Sequence, residues 1–179
     1  MSAARTPSQT IGPFFGLGLP WPEGPNAAAA GAPGLMRLCG RVSDGRGDPV
    51  PDALIETWQA DGAGRFDAAG FRGFARCPTD GDGQYAITTV KPGILRGADG
   101  ATLAPHLAVS VFARGLLKRL VTRVYFPDEV AANGADPVLA RVADPRARAT
   151  LIAVREPGGY RFDVCLQGEA QTVFFELHD

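Results

Sequence analysis

Few side chains in this sequence have the types and spacing that chemistry asks for. It holds two histidines, His106 and His178, with Cys39, Cys77 and Cys165 and the tyrosines Tyr85, Tyr125 and Tyr160. A metal site gathers several ligands close together, and two histidines this far apart begin one poorly. His106 opens an alternating segment and reads as a structural histidine; His178 stands beside the last residue and reads as solvated. Ser110 shares a strand face with His106, but no elbow surrounds it, so the two do not read as a nucleophile and its base. The cysteines form no CxxC pair and no disulfide framework, so they read as reduced thiols serving as small core residues. Asp44, Asp48, Asp80 and Asp82 lie in DGRGD and TDGDG, where they read as turn formers. The glycines of GRVSDGRGD lead from a strand into a turn and not into a helix, so they are no phosphate loop. Taken alone, these residues describe a chain that is not a self-sufficient catalyst.

The elements that would position them are strands. LMRLCGRVS (35–43) puts Met36, Leu38 and Val42 on one face. ALIETWQA (53–60) is a second strand, and TDGDGQYAITTV (79–90) is a turn leading into a third, halted by Pro92–Gly93. HLAVSVFARG (106–115) alternates Leu107, Val109 and Val111 against Ala108, Ser110 and Phe112, with KRLVTRVYF (118–126) as its hairpin partner. TLIAVRE (150–156) and YRFDVCLQ (160–167) form another hairpin across PGG, with Tyr160, Phe162, Val164 and Leu166 inward. Residues 128–149 read as a loop with one short helix near 137–143, and the tail QTVFFELHD ends in an apolar cluster that should pack or pair. The fold class is therefore all-β, an antiparallel β-sandwich of about eight short strands with a short helical insertion. Residues 1–34, punctuated by Pro7, Pro13, Pro20, Pro22, Pro25 and Pro33, form an irregular N-terminal arm, and 35–179 form the sandwich domain. The arm's TPSQTIGPFF is unusually apolar for a terminal segment.

A chain of 179 residues with a net charge of −1 carries no global field that favours nucleic acid. It has no run of about 18 apolar residues, and MSAARTPSQT lacks the apolar core of a secretory signal, so a cytoplasmic protein with no membrane span is expected.

From GRVSDGRGDPVPDALIETWQADGAGRF to TDGDGQYAITTVKPG the sequence resembles the core of the intradiol ring-cleaving dioxygenases. APHLAVSVFARG, RLVTRVYFPDE and YRFDVCLQGEAQTVFFE continue the resemblance, and TPSQTIGPFF is similar to the arm of one two-chain group within that family. Catalytic chains of the family hold non-haem Fe(III) through two tyrosines and two histidines, because phenolate oxygens are hard, strongly donating ligands suited to ferric iron. The resemblance places Phe66 and Leu95 at the tyrosine positions and His106 and Ala108 at the histidine positions. Only His106 could donate to a metal, so no metal is expected in this chain. The arginine three residues before the first histidine in catalytic chains is Leu103 here.

The resemblance therefore implies an α chain without iron, paired with a β chain that binds Fe(III), in a higher oligomer of αβ units that cleaves protocatechuate with O₂. Thr10, Gly12 and Pro13 of the arm and Arg114 of FARG match the positions that line the mouth of the partner's site. Gly12 permits close backbone approach, Pro13 fixes φ, and a guanidinium at Arg114 suits the substrate carboxylate. Phe14 and Phe15 would anchor the arm in a partner or in the domain itself. The rival reading is a non-enzymatic β-sandwich binding or scaffold module. The degenerate ligand set argues for it, and the arm, which such a module does not need, argues against it.

Overall fold

Alternation decides the two central strands. In the computed structural model β1 (Leu35–Ser43) buries Met36, Leu38, Gly40 and Val42 and turns Arg37, Cys39 and Arg41 outward. The second sheet is built from β2 (Leu54–Trp58) and β3 (Phe74–Pro78). The structure describes residues 7, 9, 10, 12–66, 68–97 and 100–176. The expectation for His178 lies outside them, as do Thr6, Ser8 and Ile11 of the arm.

The remaining strands are β4 (Gln84–Val90), β5 (Leu95–Arg96), β6 (Thr102–Leu103), β7 (His106–Phe112), β8 (Leu120–Tyr125), β9 (Val154–Glu156), β10 (Gly159–Arg161) and β11 (Val164–Cys165). β5 and β6 pair as a small two-stranded sheet. One large sheet gathers β4, β10 and β11 around β1, with β9 beyond β10; the second large sheet has the order β3-β2-β7-β8. Their inner faces share one core, in which Leu38, Ile55, Ile87, Leu107, Val111 and Phe126 lose all exposure. A sandwich of two sheets is the expected architecture.

Three details depart from the sequence reading. Most pairings are antiparallel, but β10 and β11 both run parallel to β1. The expected strand 160–167 is accordingly broken between Arg161 and Val164, where the Phe162 carbonyl accepts the Tyr85 hydroxyl at 2.6 Å. The backbone approaches β1 so closely at this break that a Cβ on Gly40 would collide with the Phe162 carbonyl. The insertion holds not one but three short helices, α2 (Val130–Ala135), α3 (Pro137–Arg141) and α4 (Pro145–Ala149). Asp136 and Asp144 cap the last two, each followed by Pro at the first helical position. Finally, β3 went unread because FARCP shows little periodicity. Its Cys77 is buried, whereas Cys39 and Cys165 are only half-buried and so are not core residues.

Terminal segments close the open sides of the sandwich. The Gly24 and Pro25 carbonyls accept from Arg76 and Thr88 backbone N–H groups, on the edges of β3 and β4 respectively. On the other side the tail pairs with β8 and β11, through Phe175 N–H to the Val121 carbonyl and Thr172 N–H to the Cys165 carbonyl. Exposed edges template unwanted pairing, so these segments also protect the monomer surface. The expected packing of the tail is met by Phe174 against the main core.

Candidate functional site

Strand β7 carries candidate residues at both ends. His106 starts it, Phe112 finishes it and Arg114 follows, so the two groups are separated by about 20 Å of extended chain.

At the first end the register sets Trp58 opposite Ala108 and His106 opposite Tyr125. Phe66 stacks on Trp58 with ring centroids 6.0 Å apart, and both rings remain about half exposed. The Asp61 turn holds this loop. Its carboxylate accepts from the Arg65 and Ala63 backbone N–H groups and the Arg65 guanidinium, which keep its pKa below the ordinary range. The Asp61 carbonyl also accepts from Gly93 N–H, tying the Phe66 loop to the segment that carries buried Leu95. The structure thus brings Phe66, Leu95, His106 and Ala108 to one end of the molecule.

These residues do not fit a ferric ion. Phe66, Leu95 and Ala108 offer no donor atom. The Nδ1 of His106 lies 2.8 Å from the Ala104 carbonyl, which can only accept, so Nδ1 carries the proton. Burial lowers the pKa of this imidazole, and the Arg123 guanidinium lowers it further, against the opposing pull of the Ala104 carbonyl and Asp136. His106 also packs against the Tyr125 ring at 5.5 Å. Among the described residues, no group of three or more His, Cys, Asp or Glu side chains could hold a metal ion.

Asp136, invisible to the sequence reading, organises this end from full burial. It accepts from Ala104 N–H at 2.8 Å, from the Val138 and Leu139 N–H groups, and from the Tyr125 hydroxyl at 3.3 Å. Burial raises the Tyr125 pKa to about 12, so its phenol keeps its proton. An Asp before Pro at a helix start was the available signal for the cap, but not for the contact with Ala104.

The opposite end is assembled from the arm and the β7–β8 loop. The Thr10 hydroxyl oxygen accepts from Gly12 N–H at 3.2 Å, opening a short 3-10 turn (Gly12–Phe14) that includes Pro13 and leads into α1 (Phe15–Gly18). Gly12 has φ of 63°, a conformation that favours glycine. Phe15 is buried while Phe14 is 72% exposed. Arg114 is exposed and pairs with Asp52 at 2.6 Å, a partner that sequence separation hid. Thr10 and Phe15 share a recess with Ala113 and Leu116, the neighbours that bracket Arg114–Gly115. The arm residues and the Arg114 loop are therefore adjacent.

Comparison with known proteins follows the whole chain. The dioxygenase family model matches residues 12–168. The protocatechuate 3,4-dioxygenase alpha chain of Burkholderia cepacia is 47% identical over 97% of this chain and 98% of its own length. That of Pseudomonas putida is 43% identical over 97% and 96%. The protocatechuate 3,4-dioxygenase beta chain of Burkholderia cepacia is 36% identical over 82% of this chain and 71% of its own length. Among solved structures, the dioxygenase domain of a Streptomyces sp. SirexAA-E dioxygenase fused to a carbohydrate-binding protein superposes with a TM-score of 0.61 at 24% identity. It covers 91% of this chain and 99% of that domain, which supports the fold alone.

Proposed function

The chain belongs to the family of intradiol dioxygenases, and from that premise we propose that it is the alpha subunit of a protocatechuate 3,4-dioxygenase. The observation that carries this reading is the end-to-end likeness to two alpha chains, at 43% and 47% identity over 97% of this chain. A scaffold module is not favoured, because the likeness runs through the arm and the strand ends alike.

In this reading a homologous beta chain would hold Fe(III), which would supply the chemistry that makes a catecholate reactive toward O₂. The ring opens between the two hydroxyl-bearing carbons, and both oxygen atoms enter the product, 3-carboxy-cis,cis-muconate. This chain works in the cytoplasm as part of a larger αβ assembly and shapes the substrate entrance with residues 1–34 and the β7–β8 loop. The Thr10–Gly12 hydrogen bond, the positive φ of Gly12 and the fixed φ of Pro13 give the arm a defined turn. Arg114 presents a guanidinium to the substrate carboxylate. Buried Phe15 anchors the arm, leaving exposed Phe14 and Leu17 for the partner.

Expressing the chain alone and together with such a beta chain tests the proposal through iron content, visible absorption and oxygen uptake. The expected result is a colourless, inactive single chain and a coloured, active complex. Iron and activity in the single chain would overturn it.

A further inference from the structure

The recess between the arm and the β7–β8 loop is lined by both apolar and cationic side chains. Phe15, Phe112, Leu116 and Leu117 are among its apolar lining residues, and Thr10, Lys118 and Arg119 among its polar ones. Among the described residues, no carboxylate lines it. Its volume is about 200 Å³, below the roughly 300–1,000 Å³ of sites for drug-sized ligands, which leaves room for a single ring. The nearby Arg114 pairs with Asp52 at 2.6 Å and is assigned above to the substrate carboxylate at the partner's site, so it is not counted among the groups of this recess. Lys118 and Arg119 are exposed and have no ion-pair partner among the described residues. Two uncommitted cations at the edge of a small apolar recess match a flat apolar ring that carries one anionic group.

We propose that this recess is a binding site for single-ring aromatic carboxylates, with the ring on Phe15, Phe112 and Leu116 and the carboxylate on Lys118 and Arg119. The choice of ligand class rests on the function proposed above. Such a site would concentrate anionic substrate beside the arm before it reaches the partner's iron. Its ammonium and guanidinium groups recognise the carboxylate, and the catechol hydroxyls are not needed for binding there.

Equilibrium dialysis with protocatechuate, catechol and benzoate on the full chain alone tests the site, since the function proposed above puts the competing iron centre in the beta chain. Saturable binding of protocatechuate and benzoate is expected in the ~millimolar range, with catechol much weaker. The double substitution K118S/R119S should weaken binding about tenfold, whereas K118R should keep it. Both positions are exposed, so the folded state should persist, which thermal melting checks. In the complex with a beta chain, K118S/R119S should raise KM for protocatechuate more than it lowers kcat. That difference should shrink at high ionic strength.

Absence of saturable binding, binding that survives K118S/R119S, or equal affinity for catechol would overturn the site. An unchanged KM and salt dependence in the complex would overturn its role in delivering substrate. If the wild-type chain forms no active complex at all, the proposed function fails, and the dialysis result still decides the recess.

Discussion

The two ends of β7 lie in the same sheet and have opposite characters. At the His106 end polar groups are turned inward and satisfied: Asp136 is fully buried and accepts from three backbone N–H groups and the Tyr125 hydroxyl. At the Arg114 end the charges face solvent, and Lys118 and Arg119 have no ion pair among the described residues. A buried, fully partnered cluster contributes to stability, because removing one member strands the others. Exposed, unpaired charge contributes little to stability and stays available to a ligand. The end where the resemblance places the ligand positions is a structural joint around Asp136, and the Arg114 end carries Lys118 and Arg119, which have no ion pair among the described residues.

Substitutions should separate the two ends, and the largest effect is expected at the buried joint. Asp136→Ala leaves four donors without their acceptor and should cost about 3 kcal/mol in urea unfolding. It should leave KM for protocatechuate in the complex within twofold, and a large KM change would break the distinction. At the other end Arg114→Ala should raise that KM about tenfold, near 1.4 kcal/mol, with no measurable loss of stability from a surface pair. An unchanged KM would remove Arg114 from the substrate's path.

A smaller effect is expected where the arm meets the sheet. Arg76 lies over the Trp21 and Phe74 rings, pairs with Glu56 and donates to the Leu19 carbonyl. Arg76→Ala should cost about 1–2 kcal/mol and speed proteolysis within the arm ahead of the core.

The smallest effect is a pH dependence at the His106 end. The folded imidazole has a pKa lowered from 6.5 by burial, so below that pH the unfolded chain takes up the proton first. Stability from this group is present above about pH 6.5 and lost as pH falls through the lowered folded value. Melting curves from pH 8 to pH 5 should show a decline that His106→Gln flattens. An equal decline in the variant would assign it to other groups.

Much of the sandwich was legible because strand burial is a local, alternating property. LMRLCGRVS gave a strand with the observed bounds, and the partner of HLAVSVFARG was readable from its short connection. Asp44 and Asp80 were readable as turn formers, and each accepts two backbone N–H groups within its own turn. FARCP was missed because a short edge strand carries little alternation. The parallel pairings were missed because they join segments more than a hundred residues apart, and alternation names a buried face without naming a neighbour. At the candidate site, residue types were enough to see that Phe66, Leu95 and Ala108 have no donor atoms. The ion pair of Arg114 with Asp52 and the closure of Asp136 on Ala104 were not visible, since each joins distant segments without a local signature.

By itself, then, the sequence determined what each position can do chemically and which faces must be buried, because both follow from side-chain type and short-range periodicity. Only the tertiary structure decided which groups meet. It set the arm beside the β7–β8 loop, closed both sheets with the segments around Gly24 and Phe175, and put Phe66, Leu95 and Ala108 at the end of the molecule where His106 starts β7. The physical reason is that long-range pairing is selected by the packing of the whole core, which no single segment encodes.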